Sequence, residues 1–365
     1  MTDQDELQTT VDRLVDRAAI CDLFSQFAAG TDVQDWELVA ECFSPDAVID
    51  LSRPAWDGTR DEVWVGFDDV MANLKRGLAR HFVGHHMVAN HRCMIDGDRA
   101  RAVAYLRSSH VDDPAQPTNH EDQGAWYLSE LTRLDSRWKI AYLKPVSVWW
   151  TAEARPDEEL ADDLLAEMRD YLGGGEPGET VGRTRGNVGE LAAKVQWLAD
   201  RDAIADLFSR FAGAADVQDW EAVARCFSPD IVFDRSHPTW NGQDDEEWVG
   251  LEQVMEGVRA DGSKHFLGHH MITNHRCVID GDKARAIAYL HSVHVDDPAR
   301  PTDHYAHGAW YLTELTRADG GWTFSYMKHV VVWWPDALRP YGPVTESQRR
   351  EMRDYLAARQ PSSAA

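Results

Sequence analysis

No stretch of this chain approaches the roughly 20 consecutive apolar residues that a membrane-crossing helix needs, and the amino terminus, MTDQDELQTT, is polar and acidic with no apolar signal region. Both absences point to a cytoplasmic protein. Basic charge is scarce as well: 37 Lys and Arg stand against 62 Asp and Glu, a formal net charge of −25. No run of basic residues is interleaved with aromatics, so nucleic acid and anionic membrane are poor partners. Cysteine is limited to five residues. Cys42 and Cys226, and likewise Cys93 and Cys277, sit in equivalent local sequences, while Cys21 has no mate; that is not a disulfide framework. There is no Gly-rich phosphate loop, and no nucleotide or other cofactor is expected.

What the chain does have is a copy of itself. Residues 16–150 slide onto 200–334 without a gap, at an offset of 184, and most positions are identical. A period this long describes two whole domains, not a solenoid. EMRDYL at 167–172 recurs at 351–356 and adds a closing helix to each unit. The expected organisation is a domain over 1–172, a Gly-rich linker GGGEPGETVGRTRGNVG over 173–189, and a second domain over 190–365.

Within a unit, Leu14, Ala18, Cys21, Phe24 and Ala28 recur at helical spacing. WELVAECF predicts a second helix over Trp36–Phe43, ended by Ser44-Pro45-Asp46. A short strand near Val48–Leu51 and a third helix over residues 67–79 follow. The remainder reads as β hairpins: His85–Ile95 with Ala100–Val111 through Asp96-Gly97, and Ala125–Arg133 with Trp138–Trp150. Helices first and an antiparallel sheet afterwards define an α+β class.

GHHMVANHRC at 84–93 returns as GHHMITNHRC at 268–277. Three histidines near a cysteine resemble a metal set, but strand geometry argues otherwise. A strand rises about 3.3 Å per residue, so His81 and His85, or His86 and Asn90, lie about 13 Å apart on one face. No single ion spans that distance, and no metal is expected. Strict alternation places His86 and Asn90 on one face and His85, Met87 and His91 on the other. His91 and Cys93 read as packing or interface residues.

A histidine on a strand needs a partner to do acid–base chemistry. GTDVQDW at 30–36 and AADVQDW at 214–220 each supply two carboxylates. Asp35 and Asp219 suit the N-cap of the short helix that follows. Asp32 and Asp216 are then spare, among Phe27, Trp36 and Phe43 in the first copy. Such a setting raises a carboxylate pKa, or lets the group share a proton with a nearby imidazole.

DRAAICDLFSQFAAGTDVQDWELVAECFSPDAVID followed by HHMVANHRCMIDGDRARAVAYL resembles the SnoaL-like branch of the nuclear transport factor two-like superfamily. That group includes scytalone dehydratase, lindane dehydrochlorinase, ketosteroid isomerase and small polyketide cyclases. The resemblance implies two tandem cone-shaped domains, each a curved antiparallel sheet closed by about three helices around an apolar pocket. It further implies that the two are packed as an intramolecular pseudo-dimer, with further homo-oligomers open. In the dehydratase members an Asp after the first helix pairs with a His on the first long strand. Here that Asp is Asp32 and Asp216. The His is His86 and His270, or His85 and His269 if the count runs back from the hairpin without a gap. Arg133 and Arg317 match a functional arginine of the dehydrochlorinase, or else sit at a hairpin end. His110 and His294 lie roughly where scytalone dehydratase has a second histidine. The family tyrosine before the Asp is replaced by Thr31 and Ala215; Tyr105 and Tyr289 are substitutes, unless they are core residues.

The function these residues suggest is a cofactor-independent lyase or isomerase acting on a hydrophobic, oxygenated small molecule. A polyketide or terpenoid cyclase of secondary metabolism with the same dyad, or a non-catalytic binding or assembly module, are the alternatives. The two copies are unequal, since ten of the 16 histidines fall in the second. Arg53, Arg107, Gln123 and Pro145 become His237, His291, His307 and His329.

Overall fold

A computed structural model describes residues 3–51, 62–113, 116, 118–151, 188–235, 247–297, 299–300, 304–318, 321–334, 349–350 and 352–353. The chain divides into two compact units, one of residues 1–110 with 121–195, the other of residues 111–120 with 196–365. Both repeat one element order. In the first copy helix α1 (Asp3–Asp32) leads through α2 (Trp36–Ala40) to strands β1 (Phe43–Asp50) and β2 (Val63–Val65). Helix α3 (Phe67–Leu78) precedes β3 (Val83–Asp96), β4 (Arg99–Val111), β5 (His120–Leu134) and β6 (Arg137–Trp150). The second copy runs α4 (Val188–Asp216), α5 (Trp220–Ala224), β7 (Phe227–Asp234), β8 (Glu247–Val249), α6 (Leu251–Gly262), β9 (Leu267–Asp280), β10 (Lys283–Val295), β11 (His304–Ala318) and β12 (Gly321–Trp333).

Each copy builds a six-stranded sheet, ordered β2-β1-β6-β5-β4-β3 and β8-β7-β12-β11-β10-β9. The expected antiparallel sheet is corrected at one joint. β1 runs parallel to β6, and β7 parallel to β12. Such a pairing joins segments some hundred residues apart, which local pattern does not encode. The three-residue strands β2 and β8 were not foreseen either; they pair antiparallel with β1 and β7.

The second helix stops earlier than its pattern suggests. It ends at Ala40, and Phe43-Ser44-Pro45-Asp46 already belongs to β1. The register slips between Phe43 and Val48, so Pro45 falls where the ladder is broken and its missing N–H costs no bond. The start is as expected: Asp35 accepts from the Leu38 N–H at 3.1 Å and Asp219 from the Ala222 N–H at 3.0 Å. The β3–β4 turn sits one residue later than Asp96-Gly97. Gly97 (φ 57°) and Gly281 (φ 59°) hold the first central position, where positive φ suits glycine.

Helix α1 lays Ile20, Phe24 and Phe27 onto the inner face of the sheet, against Ala102, Ala104, Tyr127 and Leu131. The second copy packs Ile204, Phe208 and Phe211 in the same way. α4 begins at Val188, two residues inside the expected linker; the rest of that linker and residues 167–172 lie outside the described residues. Of the second EMRDYL, residues 352–353 are described and are helical. Among the described residues no helix is long and apolar enough to cross a membrane.

Candidate active site

Asp32 is the last residue of α1 and is fully buried. Its carboxylate accepts from the His86 backbone N–H at 3.0 Å and from the His86 ring at Nδ1. In the second copy Asp216 accepts from the His270 N–H at 3.1 Å and from its Nδ1 at 2.5 Å. A carboxylate at a helix C-terminus meets the partial negative charge of the last carbonyls. The two donors from one histidine offset that repulsion. An ionised carboxylate only accepts, so the ring nitrogen that meets it, Nδ1, carries a proton.

Two local features set this geometry. Gln34 and Gln218 turn the chain out of α1 and α4 with φ of 56° and 58°. Each side chain then bonds a carbonyl just ahead of the strand that carries the histidine, Gln34 to His81 O at 2.6 Å before β3 and Gln218 to His265 O at 2.7 Å before β9. Gly84 and Gly268 allow the carboxylate to lie against the strand: a Cβ at Gly268 would stand 2.7 Å from Asp216 Oδ1, and one at Gly84 would overlap Asp32 Oδ1.

The strand's facing pattern differs from strict alternation. Asn90 and Asn274 adopt φ 53°, and opposite the latter the register shifts between Ile287 and Tyr289, so that two residues of β9 face one of β10. This is a β-bulge with Asn in the left-handed region. It moves His91 onto the same face as His86, corrected from the opposite face expected: the His91 ring lies 5.7 Å from Phe24, and His275 lies 5.4 Å from Phe208. Burial, with Arg17 and Arg201 beside them, lowers the pKa of His91 and His275 to about 4. Cys93 packs against the first core, with its thiol on Cys21.

Around the dyad stand further imidazoles. His110 Nε2 lies 3.3 Å from His86 Nε2, and its ring stacks on His81 at 4.3 Å. His294 sits 5.3 Å from His270 and stacks on His265 at 4.4 Å, ring centre to ring centre. Burial, then the neighbouring His270 and His265, lowers the His294 pKa to about 3. The raised carboxylate pKa expected for this setting is not found at Asp216. Burial pushes it up, but the His270 hydrogen bonds and charge, with His269 nearby, outweigh that and hold it low.

Other candidates fall elsewhere. His85 and His269 alternate away from the dyad face. Arg133 binds Asp16 at 2.6 Å and Asp98 at 3.0 Å and covers the Trp138 ring, and Arg317 binds Asp200 at 2.7 Å. Asp16 lies on α1 about 24 Å from Asp32, at 1.5 Å per residue, so the structure does not bring these arginines to the dyad. Tyr105 is exposed and meets Trp126, and Tyr289 is buried against Trp310. The tyrosines beside the carboxylates are Tyr127 and Tyr311, whose pKa values burial and Asp32 or Asp216 push up. Alternation along AWYL is the signal that could have found them, once the inward face of β5 is known. Among the described residues no group of three or more His, Cys, Asp or Glu is arranged to hold a metal ion.

A helix-packed mixed sheet that seats a carboxylate–imidazole pair at the end of its first helix, twice over, defines the class of this protein. The SnoaL-like domain model matches residues 12–144 and 196–328, and the chain belongs to that family. Among solved structures it is similar to the Kfla4162 protein from Kribbella flavida (24% identity, 38% of this chain and 95% of that one, TM-score 0.34). It is also similar to a putative scytalone dehydratase from Novosphingobium aromaticivorans (16%, 41% and 96%, TM-score 0.35). A third is the hexachlorocyclohexane dehydrochlorinase LinA-type3 from Novosphingobium barchaimii (22%, 38% and 91%, TM-score 0.32). No curated protein matches the chain.

Proposed function

We propose that each copy is a cofactor-independent lyase site acting on a small, hydrophobic, oxygenated molecule. The observation that carries this reading is the doubly bonded carboxylate: Asp32 or Asp216 takes both the backbone and the ring N–H of one histidine. His86 or His270 then removes a proton from a carbon next to an electron-withdrawing group, and the Asp supports the imidazolium that forms. A leaving group such as hydroxide departs from the neighbouring carbon. His294, held neutral, has an N–H to offer that leaving oxygen, and His110 stands in the same place in the first copy. Positioning plus acid–base assistance of about 10²–10⁴ per group suffices for an acidified C–H bond. An isomerase or cyclase shares the first proton transfer and differs in the fate of the anion.

The test is Asp32→Asn and Asp216→Asn, singly and together, with turnover measured on a panel of β-hydroxy carbonyl compounds. Asn keeps the shape but loses the charge that fixes the tautomer. A fall of about 10²-fold or more in kcat in the double variant is expected; unchanged turnover would sink the dyad. The single variants apportion activity between the copies.

A further inference from the structure

The duplication supplies its own control, because the first copy shows which residues the fold can do without. At the positions of Gln123 and Pro145 the second copy places His307 and His329, both buried, on the face that carries its dyad. The ladder makes the placement explicit: His270 opposes Ser292, Ser292 opposes His307, and His329 opposes Tyr311, the tyrosine next to Asp216. Ser292 Oγ lies 2.8 Å from His307 Nδ1. The rings form a connected row, His294 to His307 at 5.6 Å and His307 to His329 at 5.6 Å, with His294 in turn 5.3 Å from His270.

We propose that His307 and His329 are specificity-determining residues, and that the second site selects a substrate carrying an additional hydroxyl or carbonyl oxygen away from the bond broken at the dyad. The inference rests on the dyad reading for the word substrate, and names what the second site accepts. The first copy forms the same strands with Gln123 and Pro145, so folding does not demand imidazoles at these positions. Burial, with neighbouring imidazoles and the Arg235 guanidinium, keeps His307 and His329 neutral, each with one donor and one acceptor. The Nδ1 of His294, in the same row, has no hydrogen-bond partner among the described residues. A site that bonds a ligand hydroxyl rejects the analogue lacking it far more strongly than an apolar pocket rejects an added group. On this basis the second site is the more discriminating of the two.

The test uses the full chain and two neutral probes of nearly equal size, 4-(2-hydroxyethyl)phenol and 4-propylphenol, in which a hydroxyl replaces a methyl. Binding is followed by calorimetry and by the imidazole ¹⁵N signals of His307 and His329, assigned through H307Q, which installs the first copy's residue, and H329Q. The hydroxyethyl probe is expected to move both signals and to bind about tenfold more tightly, and H307L or H329L to remove that preference. A wild-type protein without the preference, or one that binds with both signals unmoved, overturns the proposal. Should the leucine variants not fold, the wild-type shifts and the glutamine variants decide. Neither probe has a C–H next to a carbonyl for the dyad to act on, so the outcome is separate from that of the Asp→Asn series: an inactive dyad leaves the preference in place, and a lost preference leaves the dyad.

Discussion

The chemistry of each copy converges on one carboxylate oxygen with very little room around it. Asp32 could be singled out from sequence because Asp35, three residues on, already serves the helix cap. What the one-dimensional pattern did not carry was the crowding. At Gly84 any side chain would press on Asp32 Oδ1 and come within 3.1 Å of His86 Nδ1. Gly84→Ala is therefore expected to separate the pair while sparing the rest of the fold. Displacement of reacting groups by about 1 Å costs on the order of 10²-fold in rate. The expected result is such a drop in kcat for the first copy, measured in a D216N background so that the second is silent, with a thermal midpoint close to that of D216N alone. A midpoint that collapses along with the rate would instead mark Gly84 as a folding residue. Tyr127 was missed for a related reason: its neighbourhood to Asp32 depends on which face of β5 turns inward, and two other tyrosine positions fitted the local pattern as well.

At the level of elements, the hairpins and helices follow from period and turn chemistry, whereas the facing of β3 depends on a single residue. Asn90 at φ 53° is what brings both His86 and His91 inward, and an unbroken alternation would have turned one of them out. Asn is among the residues that tolerate this conformation, which β-branched side chains do not. Asn90→Gly is expected to leave stability within a few tenths of a kcal/mol, and Asn90→Val to lower it by about 1–2 kcal/mol. Urea unfolding of the two variants checks the pair; equal midpoints would mean that the bulge does not depend on the residue at its head. The parallel pairing of β1 with β6 was beyond reach for a different reason. It joins Val48 to Tyr142 across most of the copy, and no turn signal announces it. Arg133 shows the converse: a charged residue at a hairpin end could be placed by resemblance near the chemistry, yet its fork is taken by Asp16 and Asp98.

Across the whole molecule, two copies with one element order differ in how many neutral imidazoles they hide, and that difference has a sign under acid. His307 and His329 have no histidine counterpart in the first copy. Burial depresses both in the folded state, His329 to about 3 and His307 well below its ordinary 6.5. A histidine depressed in this way leaves the unfolded chain holding the extra proton between the folded and unfolded pKa values. Its stabilising effect is complete above about pH 6.5 and is lost as pH falls from there towards 3. At pH 5.5, below the unfolded pKa and above that of folded His329, each such residue costs on the order of 1 kcal/mol relative to neutral pH, and the cost falls on the second copy alone. His91 and His275 titrate alike, both near 4, and cancel in the comparison. Amide hydrogen exchange at pH 7.5 and pH 5.5, corrected for intrinsic rates, should show protection in β9–β12 falling more than in β3–β6. H307Q should narrow that gap by roughly half. Equal losses in the two sheets would mean that the second row of imidazoles is reached by protons without unfolding, and that its neutrality is not maintained by burial.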